Sequence, residues 1–185
     1  MRVLAISGSV RRDSTNTALL RAAAEEAPEG VDVVLWQGLK EIPPYDQDDD
    51  VVPGPPAVEV LKQAVREADA VLIATPEYNF SVPGVLKNAV DWASRPLATN
   101  VFRSKPVAVI GASSGMFGAV WSQAELRKIL GQAMGAQVAD VEVAVGRAFE
   151  KLDEEGRLVD EDVRAQLRDV MAVLTEVQEQ QLVAA

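Results

Sequence analysis

The chain alternates short, continuous apolar runs with longer stretches in which apolar residues recur every three or four positions. A short apolar run is typical of a strand that is covered on both faces, and the longer spacing is typical of an amphipathic helix. We predict strands over residues 3–6, 31–36, 70–74 and 107–110, and a half-exposed edge strand over residues 141–145, where valines alternate with other residues. The helical periodicity falls in residues 19–27, 58–68, 86–93, 126–133 and 163–177.

Regular alternation of strand and helix predicts a parallel sheet with right-handed crossovers. Five strands favour the flavodoxin-like strand order 2-1-3-4-5 over a longer dinucleotide-binding fold. We therefore expect an α/β protein, a three-layer sandwich in which a five-stranded parallel sheet carries helices on both faces. Residues 1–185 are expected to form a single domain of this kind.

Two residue types are missing, and their absence restricts the possible chemistry. The chain has no Cys and no His, which excludes disulfides, thiolate nucleophiles, histidine bases and most zinc sites. Asp48, Asp49 and Asp50 are interpreted as a solvated acidic loop, because no metal-ligand spacing is recognisable. We expect no metal site, and any difficult chemical step would belong to an organic cofactor.

Charge and hydropathy restrict the possible partners. The net charge of −10, with no basic stripe to offset it, argues against a nucleic-acid partner. The absence of a long apolar run and of an export leader predicts no membrane partner and a cytoplasmic location.

Residues 7–17 join the first predicted strand to the first helix and are rich in hydroxyl groups. Hydroxyls and backbone N–H groups at a helix N-terminus can bind a phosphate, and Arg11 or Arg12 can supply positive charge. The segment matches neither the Walker A motif nor G-x-G-x-x-G, which favours a mononucleotide phosphate. A polar turn with Ser14 or Thr15 as N-cap explains the same residues, and the residues alone leave both interpretations open.

The loops after the third and fourth strands end at the same edge of the predicted sheet, where ligands bind in such folds. The third-strand loop combines the flat side chains of Tyr78 and Phe80 with the stiffening prolines Pro76 and Pro83, which suits a planar heterocycle. Residues 111–118 are small and polar, so the backbone can approach a flat ligand closely. Aromatic residues that merely cover the end of the sheet, followed by an ordinary loop, are the alternative.

Residues 75–92 resemble the signature of the NADPH-dependent FMN reductase family, which includes quinone and chromate reductases and azoreductases. Thr-Pro-Glu-Tyr-Asn begins at residue 75, Ser-x-Pro-Gly at residue 81 and Leu-Lys-Asn-Ala-x-Asp-Trp at residue 86. The first loop is similar to the family pattern Gly-Ser-x-Arg-x-x-Ser-x-Asn at Gly8, Ser9, Arg11, Ser14 and Asn16. The resemblance extends over nearly the whole chain.

The resemblance implies an FMN-dependent oxidoreductase that takes a hydride from NADPH or NADH and then reduces a small acceptor in a ping-pong reaction. The implied acceptors are quinones, chromate, azo compounds or flavin. No side-chain acid or base is implied. The resemblance implies that the phosphate is bound by Ser9, Arg11, Ser14, Thr15 and Asn16. The flavin ring is expected to lie, largely against backbone atoms, at Pro76, Glu77, Tyr78, Asn79, Phe80 and Ser113.

A homodimer or homotetramer with the flavin near a subunit interface is also implied by the resemblance, with Trp92 and Trp121 as candidate contacts. Three alternative functions stay open. The first is a flavodoxin-like electron carrier that binds FMN without NAD(P)H turnover. The second is a flavin-free regulatory or scaffolding protein on the same fold. The third is a flavin reductase that releases reduced FMN to a partner.

Overall fold

The computed structural model describes residues 1–184 and contains one sheet in which all paired strands run parallel. Its strands are β1 (Arg2–Ser7), β2 (Asp32–Trp36), β3 (Ala70–Thr75), β4 (Pro106–Ala112), β5 (Gln137–Val138) and β6 (Ala144–Val145). The order is β2-β1-β3-β4-β5, and β6 also pairs with β4. The predicted strand order is confirmed.

Helices cover both faces of the sheet, as predicted. The α-helices are α1 (Thr15–Glu25), α2 (Pro56–Glu67), α3 (Gly84–Ala93), α4 (Val120–Lys128) and α5 (Glu161–Ala184), and a π-helical turn over Ile129–Ala133 extends α4. Alternate residues of the central strands point to opposite faces. Leu72 and Ile110 pack with α1 and α5, whereas Ile73 and Val109 pack with α2, α3 and α4.

The prediction of a continuous fifth strand over residues 141–145 is wrong. Two short strands, β5 and β6, lie beside opposite ends of β4, and the segment between them leaves the sheet. The guanidinium of Arg127 lies in this gap, where it donates to the carbonyl oxygens of Val109 and Val141. The alternating valines did indicate buried positions, because Val143 and Val145 are buried. Between β5 and β6, however, the side chain of Arg127 from α4 takes the place of strand hydrogen bonds to β4.

None of the helices within residues 1–184 is long and apolar enough to cross a membrane.

Candidate active site

A cavity of about 330 Å³ lies at the carboxyl ends of the central strands, where the loops after β1, β3 and β4 meet. We call these the β1 loop (residues 8–14), the β3 loop (residues 76–83) and the β4 loop (residues 113–119). The cavity has a size ordinary for a small-molecule site. It is lined by Ser9, Arg11, Ser14, Thr15, Asn16, Pro76, Glu77, Tyr78, Ala112, Ser113, Ser114 and Phe149.

The β1 loop leads into α1 and presents several hydrogen-bond donors. Ser14 caps the helix, because its Oγ accepts a hydrogen bond from the N–H of Thr17 at 3.2 Å, and its own hydroxyl proton stays available. The N–H groups of Thr15 and Asn16 have no partner within residues 1–184. Arg11 is exposed and forms no ion pair with any described residue. This set of donors suits a phosphate at the helix N-terminus.

The side chain of Asn16 has a structural task. It is 2% exposed, and its amide donates to the carbonyl of Ala112 and accepts from the N–H of Ala112, both at 2.9 Å. These two bonds hold the start of α1 against the end of β4. Asn16 can therefore offer a ligand its backbone N–H, while its side chain fixes the distance between the β1 and β4 loops.

Gly8 allows the β1 loop to lie directly against the β3 loop. Its N–H donates to the carbonyl of Ala74 at 2.8 Å. A Cβ atom at this position would lie 2.7 Å from the side chain of Leu86 in α3 and 3.2 Å from Pro76, so a larger residue would be crowded against both.

The β3 loop contains a tight hairpin. Tyr78 and Ser81 exchange both backbone hydrogen bonds, at 3.3 and 3.1 Å. The two residues between them, Asn79 and Phe80, have φ values of 53° and 61°. Asn tolerates this left-handed conformation, but Phe does not favour it, and such strain often accompanies functional sites.

Glu77 attaches the beginning of the β3 loop to α4. Its carboxylate accepts hydrogen bonds from the N–H groups of Trp121 and Ser122, at 3.0 and 3.1 Å. Helix α4 has no cap from its own N-cap residue, Ala119, so Glu77 provides that cap from another loop. The side chain of Glu77 is thus occupied by these two hydrogen bonds.

Glu125 attaches the end of the same loop to α4. Its carboxylate accepts from the hydroxyl of Ser81 at 2.7 Å and from the N–H of Val82 at 3.1 Å. These hydrogen bonds, first that of Ser81 and then that of Val82, lower the pKa of Glu125 below its ordinary value. The carboxylate of Glu77 thus reaches from the β3 loop to α4, and that of Glu125 reaches from α4 to the β3 loop. Together they fix the hairpin to α4.

The β4 loop is shaped by close backbone contact with β6. The N–H of Ser113 donates to the carbonyl of Val145 at 3.0 Å. Gly118 has a φ of 60°, and a Cβ atom there would lie 2.2 Å from the backbone of Ala144. Only glycine fits at this position, and the β4 loop can therefore lie directly against the backbone of β6.

Nine of the eleven predicted site residues line this one cavity, namely Ser9, Arg11, Ser14, Thr15, Asn16, Pro76, Glu77, Tyr78 and Ser113. Asn79 and Phe80 lie outside its lining, at the tip of the hairpin. Ala112 and Ser114 also line the cavity and belong to the small, polar segment 111–118 that the sequence placed at this edge, whereas Phe149 was not predicted. Phe149 follows the carboxyl end of β6. Ligands in such sheets bind at the carboxyl ends of the strands, so the segment after β6 was a candidate on the same ground as the other loops.

Exposed aromatic side chains form a rim beside the cavity. Trp121 makes edge-to-face contacts with Phe80 and Phe117, with ring centroids 4.9 and 5.1 Å apart. Phe80 is 70% exposed and Trp121 is 41% exposed. Trp92, in contrast, is buried and donates to the carbonyl of Pro43, so the expectation that it contacts a second subunit is wrong.

In the part of the chain that the structure describes, no group of three or more carboxylates is placed to hold a metal ion.

The family model for NADPH-dependent FMN reductases matches residues 1–150. The chain belongs to this family. The predicted resemblance is thereby confirmed, together with the predicted class of enzyme, an NAD(P)H-dependent flavin oxidoreductase.

Two curated relatives match almost end to end. An NAD(P)H-dependent FMN reductase of Pseudomonas aeruginosa is 41% identical, with 94% of this chain and 93% of the relative covered. An NADPH:quinone oxidoreductase of Arabidopsis thaliana is 42% identical, with coverage of 94% and 90%.

Solved structures agree with this assignment. The flavoenzyme NAD(P)H:(acceptor) oxidoreductase FerB of Paracoccus denitrificans superposes with a TM-score of 0.85 at 33% identity, covering 97% of each chain. A flavodoxin of Pseudomonas aeruginosa, at 17% identity, covers 95% of this chain and 99% of its own with a TM-score of 0.61. The second match concerns the fold alone and confirms the flavodoxin-like architecture.

The residues of the cavity fit the cofactor of this FMN-dependent family. One part of its lining offers hydroxyls, Arg11 and the N–H groups of Thr15 and Asn16, which have no partner within residues 1–184, for a phosphate. Another part offers the backbone of the β3 and β4 loops and the flat side chain of Tyr78 for a ring. The distribution of polar and flat groups therefore follows that of a flavin mononucleotide.

Proposed function

We propose that this protein binds FMN in the cavity at the ends of β1, β3 and β4 and uses NADPH or NADH to reduce a quinone or a similar small acceptor. Residues 1–185 would act as one FMN-binding domain. The observation that carries the proposal is that a single cavity joins a phosphate-binding helix terminus to two loops suited to a flat ring.

The phosphate is assigned to the β1 loop and the start of α1. Arg11 contributes the positive charge, and the N–H groups of Thr15 and Asn16 point along the helix dipole. The hydroxyls of Ser9, Ser14 and Thr15 complete the donor set. Because the protein carries a net charge of −10, these local donors must outweigh its overall repulsion of an anion.

The ring is assigned to the space between the β3 and β4 loops. Pro76, Glu77 and Tyr78 of the β3 loop and Ser113 of the β4 loop all line the cavity. When bound, FMN would supply the redox chemistry, accepting a hydride from the nicotinamide and giving electrons to the acceptor. The chain's own residues bind and orient the reactants, and no side-chain acid or base is required.

The entrance of the cavity suits a site that two flat reactants enter in turn. Tyr78 and Phe149 line the cavity and are 59% and 60% exposed, so flat apolar surface is present where a nicotinamide or a quinone would arrive. The names of the relatives support a quinone-type acceptor, since one of them is a plant NADPH:quinone oxidoreductase. Chromate, azo compounds and free flavin are the further candidates.

The test is an anaerobic titration of the FMN-loaded protein with NADPH, and separately with NADH, followed by addition of benzoquinone. We expect rapid loss of the oxidised-flavin absorbance and its return when the quinone is added. Persistent colour with both nucleotides would favour the electron carrier instead. A protein that does not retain added FMN would favour a flavin-free function, and loss of reduced FMN on gel filtration would indicate a reductase that releases its flavin.

We propose that the active form is a homodimer or homotetramer in which a second copy covers the aromatic rim. Phe80, Met116, Phe117 and Trp121 give this surface an apolar character that is unusual for an isolated chain. Trp121→Glu should shift the species seen by analytical ultracentrifugation toward the monomer. An unchanged sedimentation profile for that variant would contradict this part of the proposal.

A further inference from the structure

A second cavity, of about 360 Å³, lies on the other side of the β1 loop, between α1 and the end of β2. We call it the basic pocket and define it by Arg12, Arg21, Trp36 and Lys40. It shares Ser9 and Arg11 with the flavin cavity, so the two cavities adjoin. Of its lining residues, only Ser9 and Arg11 have a role assigned above, in binding the FMN phosphate.

The charge of the basic pocket is opposite to that of the protein. Four cations line it, Arg11, Arg12, Arg21 and Lys40, against the single carboxylate of Glu41, which is a net charge of +3 in a chain of net charge −10. Within residues 1–184, none of the four cations forms an ion pair. Arg12, Arg21 and Lys40 remain available when Arg11 binds the FMN phosphate, and an anion placed among these three exposed cations would reduce their mutual repulsion.

Trp36 gives the pocket an aromatic wall. It is half-buried, and Gly38 packs against its ring so closely that a Cβ atom at residue 38 would lie 2.3 Å from the indole. The ring is therefore held in place from one side. Its N–H has no hydrogen-bond partner among the described residues, and an ordered indole beside cations suits a nucleobase that carries a phosphate.

We propose that the basic pocket binds a phosphorylated adenosine, and that the group it binds is the 2′-phosphoadenosine end of NADPH. This inference rests on the proposed function, because the nicotinamide of the same molecule would have to reach the adjoining flavin cavity across Ser9 and Arg11. It makes NADPH the preferred reductant, since NADH lacks the 2′-phosphate that the cations would bind. A polymeric nucleic acid would meet the acidic remainder of the surface and is not expected to bind.

The experiment measures binding directly and does not depend on turnover. FMN-loaded protein is titrated calorimetrically with 2′,5′-ADP and with 5′-AMP, at low and at high salt. The variants are Arg21→Gln and Lys40→Gln. The matched control is Arg66→Gln, an exposed arginine of α2 that lies outside both cavities and makes no ion pair in the described chain. The KM values for NADPH and NADH are measured with all four proteins.

We expect 2′,5′-ADP to bind at least about tenfold more tightly than 5′-AMP, and each pocket variant to weaken 2′,5′-ADP by about tenfold. The KM for NADPH should rise in the pocket variants while that for NADH stays constant, and Arg66→Gln should change neither. Added salt should weaken 2′,5′-ADP more than 5′-AMP.

Three results would overturn the proposal. Equal affinity for the two nucleotides, or no binding of either, would show that the pocket does not bind a 2′-phosphate. An equal loss in Arg66→Gln attributes the effect to overall charge. Finally, if FAD binds the flavin-free protein as tightly as FMN and Arg21→Gln weakens only FAD, the pocket serves the adenosine of a flavin dinucleotide. Failure of flavin reduction with 2′,5′-ADP still bound would instead contradict the proposed function alone.

Discussion

The β1 loop and the β3 loop border the same cavity but are built in opposite ways. The N–H groups of Thr15 and Asn16, which follow the β1 loop at the start of α1, have no partner within residues 1–184, and one buried side chain, that of Asn16, anchors this helix. The β3 loop is hydrogen-bonded within itself, and Glu77 and Glu125 attach it to α4 from both ends. It also holds Phe80 in a left-handed conformation.

This difference matches the roles that we propose for the two loops. A phosphate brings its own charge and four oxygen atoms, so a loop that binds it needs available donors more than internal bonds. A flat ring offers little directional bonding on its faces, so the wall beside it must be shaped by the protein alone. Variants that affect one loop and spare the other can test this distinction.

The largest effect is expected for Asn16→Ala. The substitution leaves the N–H and the carbonyl of Ala112 buried without partners, which should lower the free energy of unfolding by about 2–4 kcal/mol. It also separates the start of α1 from the β4 loop, so FMN affinity should fall by more than about tenfold. Chemical denaturation and fluorescence titration with FMN measure the two quantities.

Asn100 provides a matched control for this variant. It is also buried, donates to the carbonyl of Met134 at 2.7 Å and accepts from the N–H of Phe102 at 2.9 Å, and it lies outside the flavin cavity. Asn100→Ala should therefore cost similar stability without changing FMN affinity. Equal losses of FMN affinity in both variants would show that Asn16 acts only through general stability.

Arg11→Gln should separate binding from folding in the β1 loop. The guanidinium makes no ion pair within residues 1–184, so the free energy of unfolding without flavin should change by less than about 0.5 kcal/mol. Loss of a charged contact to the phosphate should weaken FMN by about 10- to 100-fold. Riboflavin, which has no phosphate, should bind Arg11→Gln as it binds the original protein, and a parallel loss for riboflavin would contradict the assignment.

The strain in the β3 loop predicts a variant that is more stable than the original protein, in contrast to Asn16→Ala. Phe80→Gly places Asn-Gly in a turn whose two central residues have positive φ, the pair that such turns favour. Relief of strain should raise the free energy of unfolding by about 0.5–1 kcal/mol after loss of the exposed Phe80–Trp121 contact. Turnover with quinone should fall, because the aromatic rim loses a member.

Ser104→Gly controls for the backbone effect. Ser104 has a φ of 58° in an exposed turn before β4, away from both cavities. This variant should gain similar stability while keeping full turnover. If Phe80→Gly kept full turnover as well, the strained residue would have no role in the reaction.

The same contrast explains what the sequence could predict. The central strands, the strand order and the helices on both faces follow from hydrophobic periodicity, which depends on the local chain. The hydroxyls and arginines of the β1 loop were recognisable as possible phosphate donors, but a capped polar turn explained the same residues, and Ser14 does cap α1. The break between β5 and β6 was not predictable in this way, because it depends on Arg127, a residue that precedes the gap and belongs to α4.

The β3 loop was predicted in composition but not in construction. The residue pattern identified the segment, yet it could not show that the side chain of Glu77 caps α4 or that Asn79 and Phe80 lie outside the cavity. Asn16 shows the same limit, since its amide is used by Ala112. Such roles depend on contacts between segments far apart in the chain, and single-residue chemistry does not specify them.

The smallest expected effect concerns the pH dependence of the clamp between Glu125 and the β3 loop. The hydrogen bonds from Ser81 and Val82 lower the pKa of Glu125 in the folded protein below its ordinary value of 4.5. The clamp therefore contributes its full stability above that value and loses it as the pH falls through the lower, folded pKa. Because the carboxylate is exposed and nearby Lys87 and Lys128 add only weaker effects, the contribution should stay below about 1 kcal/mol.

Amide hydrogen exchange should show the protection factor of Val82 decreasing over this acid range, while that of Phe102, bonded to the amide of Asn100, stays constant. In Glu125→Gln the Val82 factor should be lower and should not depend on pH. If the Val82 protection factor fell with pH as steeply in Glu125→Gln as in the original protein, the acid sensitivity would belong to another carboxylate. Glu77 would then be the carboxylate that holds the β3 loop to α4.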